Sequence, residues 1–313
     1  MDSRDMTVGV IFLFQTALGI LGNSACLSLF FLADFTRSKV KPTDLIVKHL
    51  NWANLMVLLL KGVPQTMAAF GMSYFLDDIL CKLIFYFHRV ARGVSLGSTS
   101  LLSVFQVITI SPSNSMWVQL KVRANTTFIW SGLGLWWALQ LLANIAIPMR
   151  VTDLLSARNL TGSRDYVYCA TVDPGTKINM YVVLLASTDA MCLGLMALSS
   201  GSMVLILTKH RQRVQHIHSS QIPRSSPEAR ATHSILTIVS SFVLFYTISL
   251  ILTMYLTYYD GRNRWLVNAN VAMSACFPAL CPFLLISQYT AISNLCCVES
   301  YKKTVCPCVV IEL

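Results

Sequence analysis

The stretch from Cys81 to Pro112, CKLIFYFHRVARGVSLGSTSLLSVFQVITISP, limits the possible folds more than any other part of the chain. It is long, mostly apolar and free of proline until its last residue, the pattern of a membrane-spanning helix. Yet His88, Arg89 and Arg92 lie well inside it. A charge near the bilayer centre costs about 2.5–3.5 kcal/mol on insertion scales. At a rise of about 1.5 Å per residue, Arg92 falls about 16 Å beyond Cys81, close to mid-membrane. Phe85, His88 or Arg89, and Arg92 recur at spacings of three and four and so share one helix face. Hydrocarbon does not tolerate such a face, which must look into a protein or water-filled interior. The stretch therefore predicts a helical bundle with a polar core.

Composition places the whole chain in the same class. Of its 313 residues 55% are hydrophobic and 12% charged, and the mean hydropathy is +0.60; a soluble domain carries about 25% charged residues. A net charge of +10 would suit nucleic acid, but no basic, aromatic-interleaved soluble region is present to bind it. On a lipid bilayer the same charge becomes information about orientation.

Seven apolar runs can be marked, at about 7–33, 45–71, 79–110, 126–149, 178–208, 232–258 and 265–288. Each meets the need for about 20 apolar residues. The first is too long for the core of a signal peptide and lacks an obvious cleavage site, so it reads as an uncleaved span. The expectation is one all-α domain over residues 1–313, a seven-helix membrane bundle, with residues 289–313 as a short cytoplasmic tail.

Lys and Arg set the orientation. The loop after run one has Arg37, Lys39 and Lys41, and the loop after run three has Lys121 and Arg123. The loop after run five has Lys209, Arg211, Arg213, Arg224 and Arg230, and the tail has Lys302 and Lys303. The alternate loops hold fewer cations and most of the loop acids, among them Asp77, Asp78, Asp153 and Asp165. The positive-inside bias therefore puts the amino terminus outside and the carboxyl terminus in the cytoplasm. Asn159-Leu160-Thr161, an N-glycosylation acceptor, then falls in the second external loop. Of ten cysteines, Cys81 and Cys169 are the two this topology leaves outside. A bond between them would tie that loop to the third span in an oxidising compartment; two free external thiols are the alternative.

Inside the runs the cations Lys48, Lys61, Arg89 and Arg92 face one acid, Asp189. Lys48, near a cytoplasmic end, can reach the membrane surface along its own stem. One arginine can pair with Asp189, and a cationic surplus remains. That surplus suits an anionic or strongly hydrogen-bond-accepting small ligand, with Phe85 and Tyr86 adding apolar contact. Candidate ligand-binding residues are Phe85, His88, Arg89, Arg92, Asp189 and Tyr255. Lys121, Arg123, Lys209, Arg211 and Arg213 are candidate contacts for a cytoplasmic partner. His210, His216 and His218 have no Cys or carboxylate at metal-ligand spacing and read as a solvated basic loop. No catalytic set emerges, neither HExxH nor GxSxG nor a glycine-rich phosphate loop, so no enzyme, cofactor or metal site is expected.

Several segments carry a resemblance. His88-Arg89-Val90-Ala91-Arg92-Gly93, Leu101 to Gln106 and Thr109-Ile110-Ser111-Pro112 are similar to the third membrane helix of vomeronasal type 1 receptors. Gly62 to Phe70, Cys192 to Met196, Gly201 to Val204, Arg213 to Ser220, Pro223 to Glu228 and Ala275 to Ala279 resemble other segments of the same receptors. The resemblance runs from Gly22-Asn23 to about Pro282. It implies a G-protein-coupled receptor of the plasma membrane for pheromone-like small molecules, steroid-like or volatile, coupling to Gi/Go heterotrimers. It also implies the Cys81–Cys169 bond and a sugar on Asn159. Where the wider rhodopsin-like class has an acidic-Arg-Tyr motif and an Asn-Pro-x-x-Tyr motif, this chain has Thr109-Ile110-Ser111-Pro112 and Ala279-Leu280-Cys281-Pro282. The usual switch residues therefore do not transfer. A bitter-taste-like receptor, and a transporter or channel using the polar core, are the alternative readings.

Overall fold

The computed structural model describes residues 3–36, 41–72, 75–111, 126–157, 163–165, 168–172, 178–217, 227–258 and 264–305. Helix α1 is Ser3–Thr36 and α2 is Pro42–Val57. A π-helical turn, Leu58–Gly62, joins α2 to α3, Val63–Ala69. Helix α4 is Asp78–Ile110 and α5 is Thr126–Ala143. Strand β1 (Val151–Thr152), the short α6 (Leu154–Ala157), β2 (Ser163–Asp165) and β3 (Ala170–Val172) follow. The last three helices are α7 (Ile178–Ile217), α8 (Pro227–Tyr258) and α9 (Arg264–Val305).

Among the described residues, five helices are long and apolar enough to cross a membrane: Met6–Phe35, Asp78–Ile110, Val183–Ile206, Val239–Leu256 and Trp265–Ile286. The second apolar run is helical but divided by its π-helical turn. The fourth gives only the 18 residues of α5. The sequence placed its end near residue 149, yet Asn144 to Arg150 form turns. Asn144 folds its side-chain amide back onto the Gln140 carbonyl at 2.7 Å, and Pro148 excludes a helical conformation just before it.

Local chemistry fixes the ends of α4. Asp77 stands at its start and its carboxylate accepts from the Leu80 amide at 2.9 Å, satisfying one of the donors a helix leaves unpaired at that end. Ser111 is extended, as the residue before Pro112 must be. Packing is inverted relative to a soluble protein. Asn23, Asn51, Asn54, Ser98, Thr99 and Ser103 are fully buried, while Leu21, Phe35 and Leu198 are largely exposed. An apolar exterior around a polar interior is what a bilayer selects.

α1 packs on α2, α3 and α9; α4 packs on α2 and α7; α8 packs on α9. Small residues let helices approach: a Cβ on Gly97 of α4 would come 2.0 Å from Nε1 of Trp136 on α5. Lys48 is paired with Asp34, near the end of α1, and sits 5.7 Å from the centre of the Phe31 ring. Its partner comes from a neighbouring helix end, so the charge is matched inside the fold.

Three strands make a small sheet of order β1-β3-β2, both pairings antiparallel, with Thr152 opposite Ala170 and Asp165 opposite Ala170. Periodicity did not indicate these short strands. The sheet lies against the first turns of α4, where Cys81 and Cys169 are disulfide-bonded.

Candidate functional site

The site is built on the first half of α4. His88 is buried, at 8% exposure, and Nε2 of its ring has no hydrogen-bond partner. Arg89 reaches Asp189 of α7, with Nη2 and Oδ2 3.5 Å apart. That is long beside the roughly 2.7–2.9 Å of a tight charge-assisted bond, so the carboxylate holds Arg89 loosely. Arg92 turns to α8 instead. Its Nε donates to the phenol oxygen of Tyr246 at 2.7 Å, and its guanidinium carbon is 4.6 Å from the centre of that ring.

From Tyr246 an aromatic chain continues. Its ring stacks on Phe242 at 5.1 Å, and Phe242 meets Phe277 of α9 edge-on at 4.1 Å. Phe277 precedes Pro278, one of two prolines inside α9. Pro282 cannot donate to the Pro278 carbonyl; Nδ2 of Asn23 on α1 does, at 2.8 Å. Below Arg92, the Ser95 hydroxyl donates to the side-chain oxygen of Asn54 at 2.6 Å. A cavity of about 10 Å³ lies among Arg92, Ser95, Tyr246, Ser249 and Phe277. That is room for one water molecule, so any larger ligand has to widen it.

Lys61, in the π-helical turn, lies close enough to Arg89 and Arg92 to interact electrostatically with both. With three cations (Lys61, Arg89, Arg92) and one acid (Asp189), the surplus is two positive charges.

Above the charges, at the start of α4, Tyr168 forms a roof. It is buried, its ring 5.9 Å from Phe85 and 6.4 Å from Phe75. Burial pushes its phenol pKa up, which keeps the ring neutral. The Cys81–Cys169 bond anchors the segment that carries it.

The candidates from sequence thus divide. His88, Arg89, Arg92 and Asp189 come together, and Phe85 joins the roof above them. Tyr86 instead donates to the Leu141 carbonyl of α5 at 2.9 Å. Tyr255 is 48% exposed and is not carried into the interior with the others. Lys209 is exposed near the end of α7, and Arg211 and Arg213 lie on its last turns. Lys121, Arg123 and Asn159 fall outside the described residues.

Tyr246 was not among the candidates, although Phe242, Tyr246 and Ser249 recur at helical spacing. Lys61 stands out in the sequence as a charge inside an apolar run but not as part of the site. It continues the buried stripe Leu50, Asn54, Val57 at spacings of four, three and four.

The model of the vomeronasal organ pheromone receptor family matches residues 6–298. The human vomeronasal type-1 receptor 4 is 48% identical over 299 residues, covering 95% of this chain and 98% of that protein. The human vomeronasal type-1 receptor 3 is 45% identical over 303 residues, 95% of this chain and 96% of that protein. From Danio rerio, olfactory receptor class A-like protein 1 is 31% identical over 283 residues, 90% of this chain and 88% of that protein.

Proposed function

The chain belongs to the vomeronasal organ pheromone receptor family, and on that premise we propose that it binds a small anionic, pheromone-like molecule within its helix bundle and activates a Gi/Go-type G protein. It is a multi-pass membrane protein and a receptor rather than an enzyme. The observation that carries the ligand class is the surplus of positive charge beneath Tyr168, where Asp189 answers only one of three cations.

In this reading the bundle crosses the plasma membrane seven times, with the amino terminus outside, as one domain over residues 1–313. Tyr168 then roofs the outer mouth, and Asn159, in the same external loop of the sequence, carries a sugar. His88, Arg89, Arg92 and Asp189 receive the polar group of the ligand. Arg92 couples the site to α8 because it also binds Tyr246. An anion that captures the Arg92 guanidinium competes with the phenol and frees α8. Signalling then follows from differential affinity for the two arrangements; a tenfold shift takes about 1.4 kcal/mol. On the cytoplasmic side Lys121, Arg123, Lys209, Arg211 and Arg213 meet the G protein.

The test is a screen of anionic and neutral small molecules on receptor-expressing cells with a G-protein readout, and pertussis toxin as control. Responses that toxin abolishes, and that Arg92→Ala removes while surface expression persists, support the reading. Dose–response curves unchanged by Arg92→Ala overturn it.

A further inference from the structure

The π-helical turn gives the site a component on a second helix. Pro64 has no amide hydrogen, and the ladder slips: the Val63 amide bonds to the Leu58 carbonyl, five residues back. α1 pins the turn from behind. A Cβ on Gly62 would come 2.6 Å from the Thr16 hydroxyl, and the Thr66 hydroxyl closes on the Gly62 carbonyl at 2.7 Å. Lys61 stands in that widened turn, on the inward stripe of α2, and the turn packs against α4.

Among the described residues Lys61 has no carboxylate partner; the ion pairs are Lys48–Asp34, Lys82–Asp78 and Arg89–Asp189. It interacts electrostatically with Arg89, Arg92 and His88, so its neighbours oppose it rather than balance it. The His88 ring beside it is more than nine-tenths buried with an unused Nε2. An interior cation with no counter-charge weakens the fold that holds it, and an idle buried ring nitrogen does the same. Both faults are corrected at once by an oxyanion between the two side chains.

We propose that Lys61 and His88 form the second half of the ligand site, and that the ligand carries a compact oxyanion (carboxylate, sulfate or phosphate) held between the π-helical turn and α4. This rests on the anionic-ligand reading above, adds Lys61 to it, and pairs His88 with that lysine across the two helices. The ammonium of Lys61 supplies a point charge and three donors, His88 one ring nitrogen, and Arg92 a fork of N–H groups from the next turn of α4.

The experiment uses the full-length receptor in nanodiscs of neutral phosphatidylcholine, titrated with hexyl sulfate, hexanoate and hexanol, with thermal unfolding as readout. The wild-type receptor is expected to be stabilised by both anions and not by hexanol. Lys61→Met is expected to weaken anion binding by about tenfold or more, the loss of one charge-assisted contact, while Lys61→Arg retains most of it. Lys61→Met should also raise the unfolding temperature of the ligand-free receptor, which a merely structural lysine would not do. His88→Phe should weaken anion binding too, and decides the matter if Lys61→Met cannot be purified. A wild-type receptor indifferent to charge overturns the anionic-ligand reading itself. Anion binding that Arg92→Ala abolishes but Lys61→Met and His88→Phe both retain overturns only this inference, as does a ligand-free Lys61→Met receptor less stable than wild type.

Discussion

Arg92 Nε and the phenol oxygen of Tyr246 are 2.7 Å apart, a hydrogen bond that ties the cationic face of α4 to α8. Bonds to charged groups contribute about 1.5–3 kcal/mol. Tyr246→Phe removes the acceptor and keeps the ring that stacks on Phe242. Basal G-protein activation, compared at equal surface expression, should therefore rise several-fold. An unchanged or lower basal signal would mean that this bond does not hold the resting arrangement.

Gly97 lets α4 accept the Trp136 side chain of α5 at close range. Its absent Cβ would sit 2.0 Å from Nε1 of Trp136, an indole that also donates to the Gly93 carbonyl at 3.0 Å. Gly97→Ala should force the indole away and cost about 1–3 kcal/mol, seen as a lower unfolding temperature in detergent. Gly201→Ala is the control, because a Cβ there meets nothing within 4 Å. Equal behaviour of the two variants would contradict the close contact.

Asn23 is fully buried on α1 and shares its side-chain amide between the carbonyls of Gly19, at 2.7 Å, and Pro278, at 2.8 Å. Asn23→Ala leaves the proline-freed carbonyl of α9 unsatisfied, a loss of about 1–3 kcal/mol. Reduced thermal stability of the solubilised receptor is the expected result. If Asn23→Ala unfolds at the wild-type temperature, α9 satisfies its own backbone at Pro278.

The Cys81–Cys169 bond closes a sequence separation of 88 residues. Loop entropy assigns such a crosslink about 4–5 kcal/mol. Cys169→Ser should lower surface expression and unfolding temperature, and the double Cys81→Ser, Cys169→Ser variant should fall no further. Additive losses would show that each cysteine acts alone.

The cationic face of α4 was legible because Phe85, His88, Arg89 and Arg92 recur at helical spacing within an apolar run, and no lipid-facing reading survives the arginines. Tyr246 was illegible for the opposite reason. A tyrosine in an apolar run suits interior and exterior alike, and only the arrival of Arg92 from another helix distinguishes them. The partner of Lys48 was hidden because Asp34 is 14 residues away and approaches only when α1 and α2 pack. The π-helical turn left a proline as its sole trace, and Pro64 in an apolar run reads equally as a plain kink. The strands that carry the roof were hidden because two or three residues give no periodicity to find.

The roof over the charges has a bearing on time. Tyr168 is wedged against Phe75 and Phe85 on a segment stapled to α4, so in the proposed reading a molecule lodged beneath it would depart only when that side chain moves aside. Departure would then be the slow step, and a brief encounter with the stimulus would leave a response that outlives it.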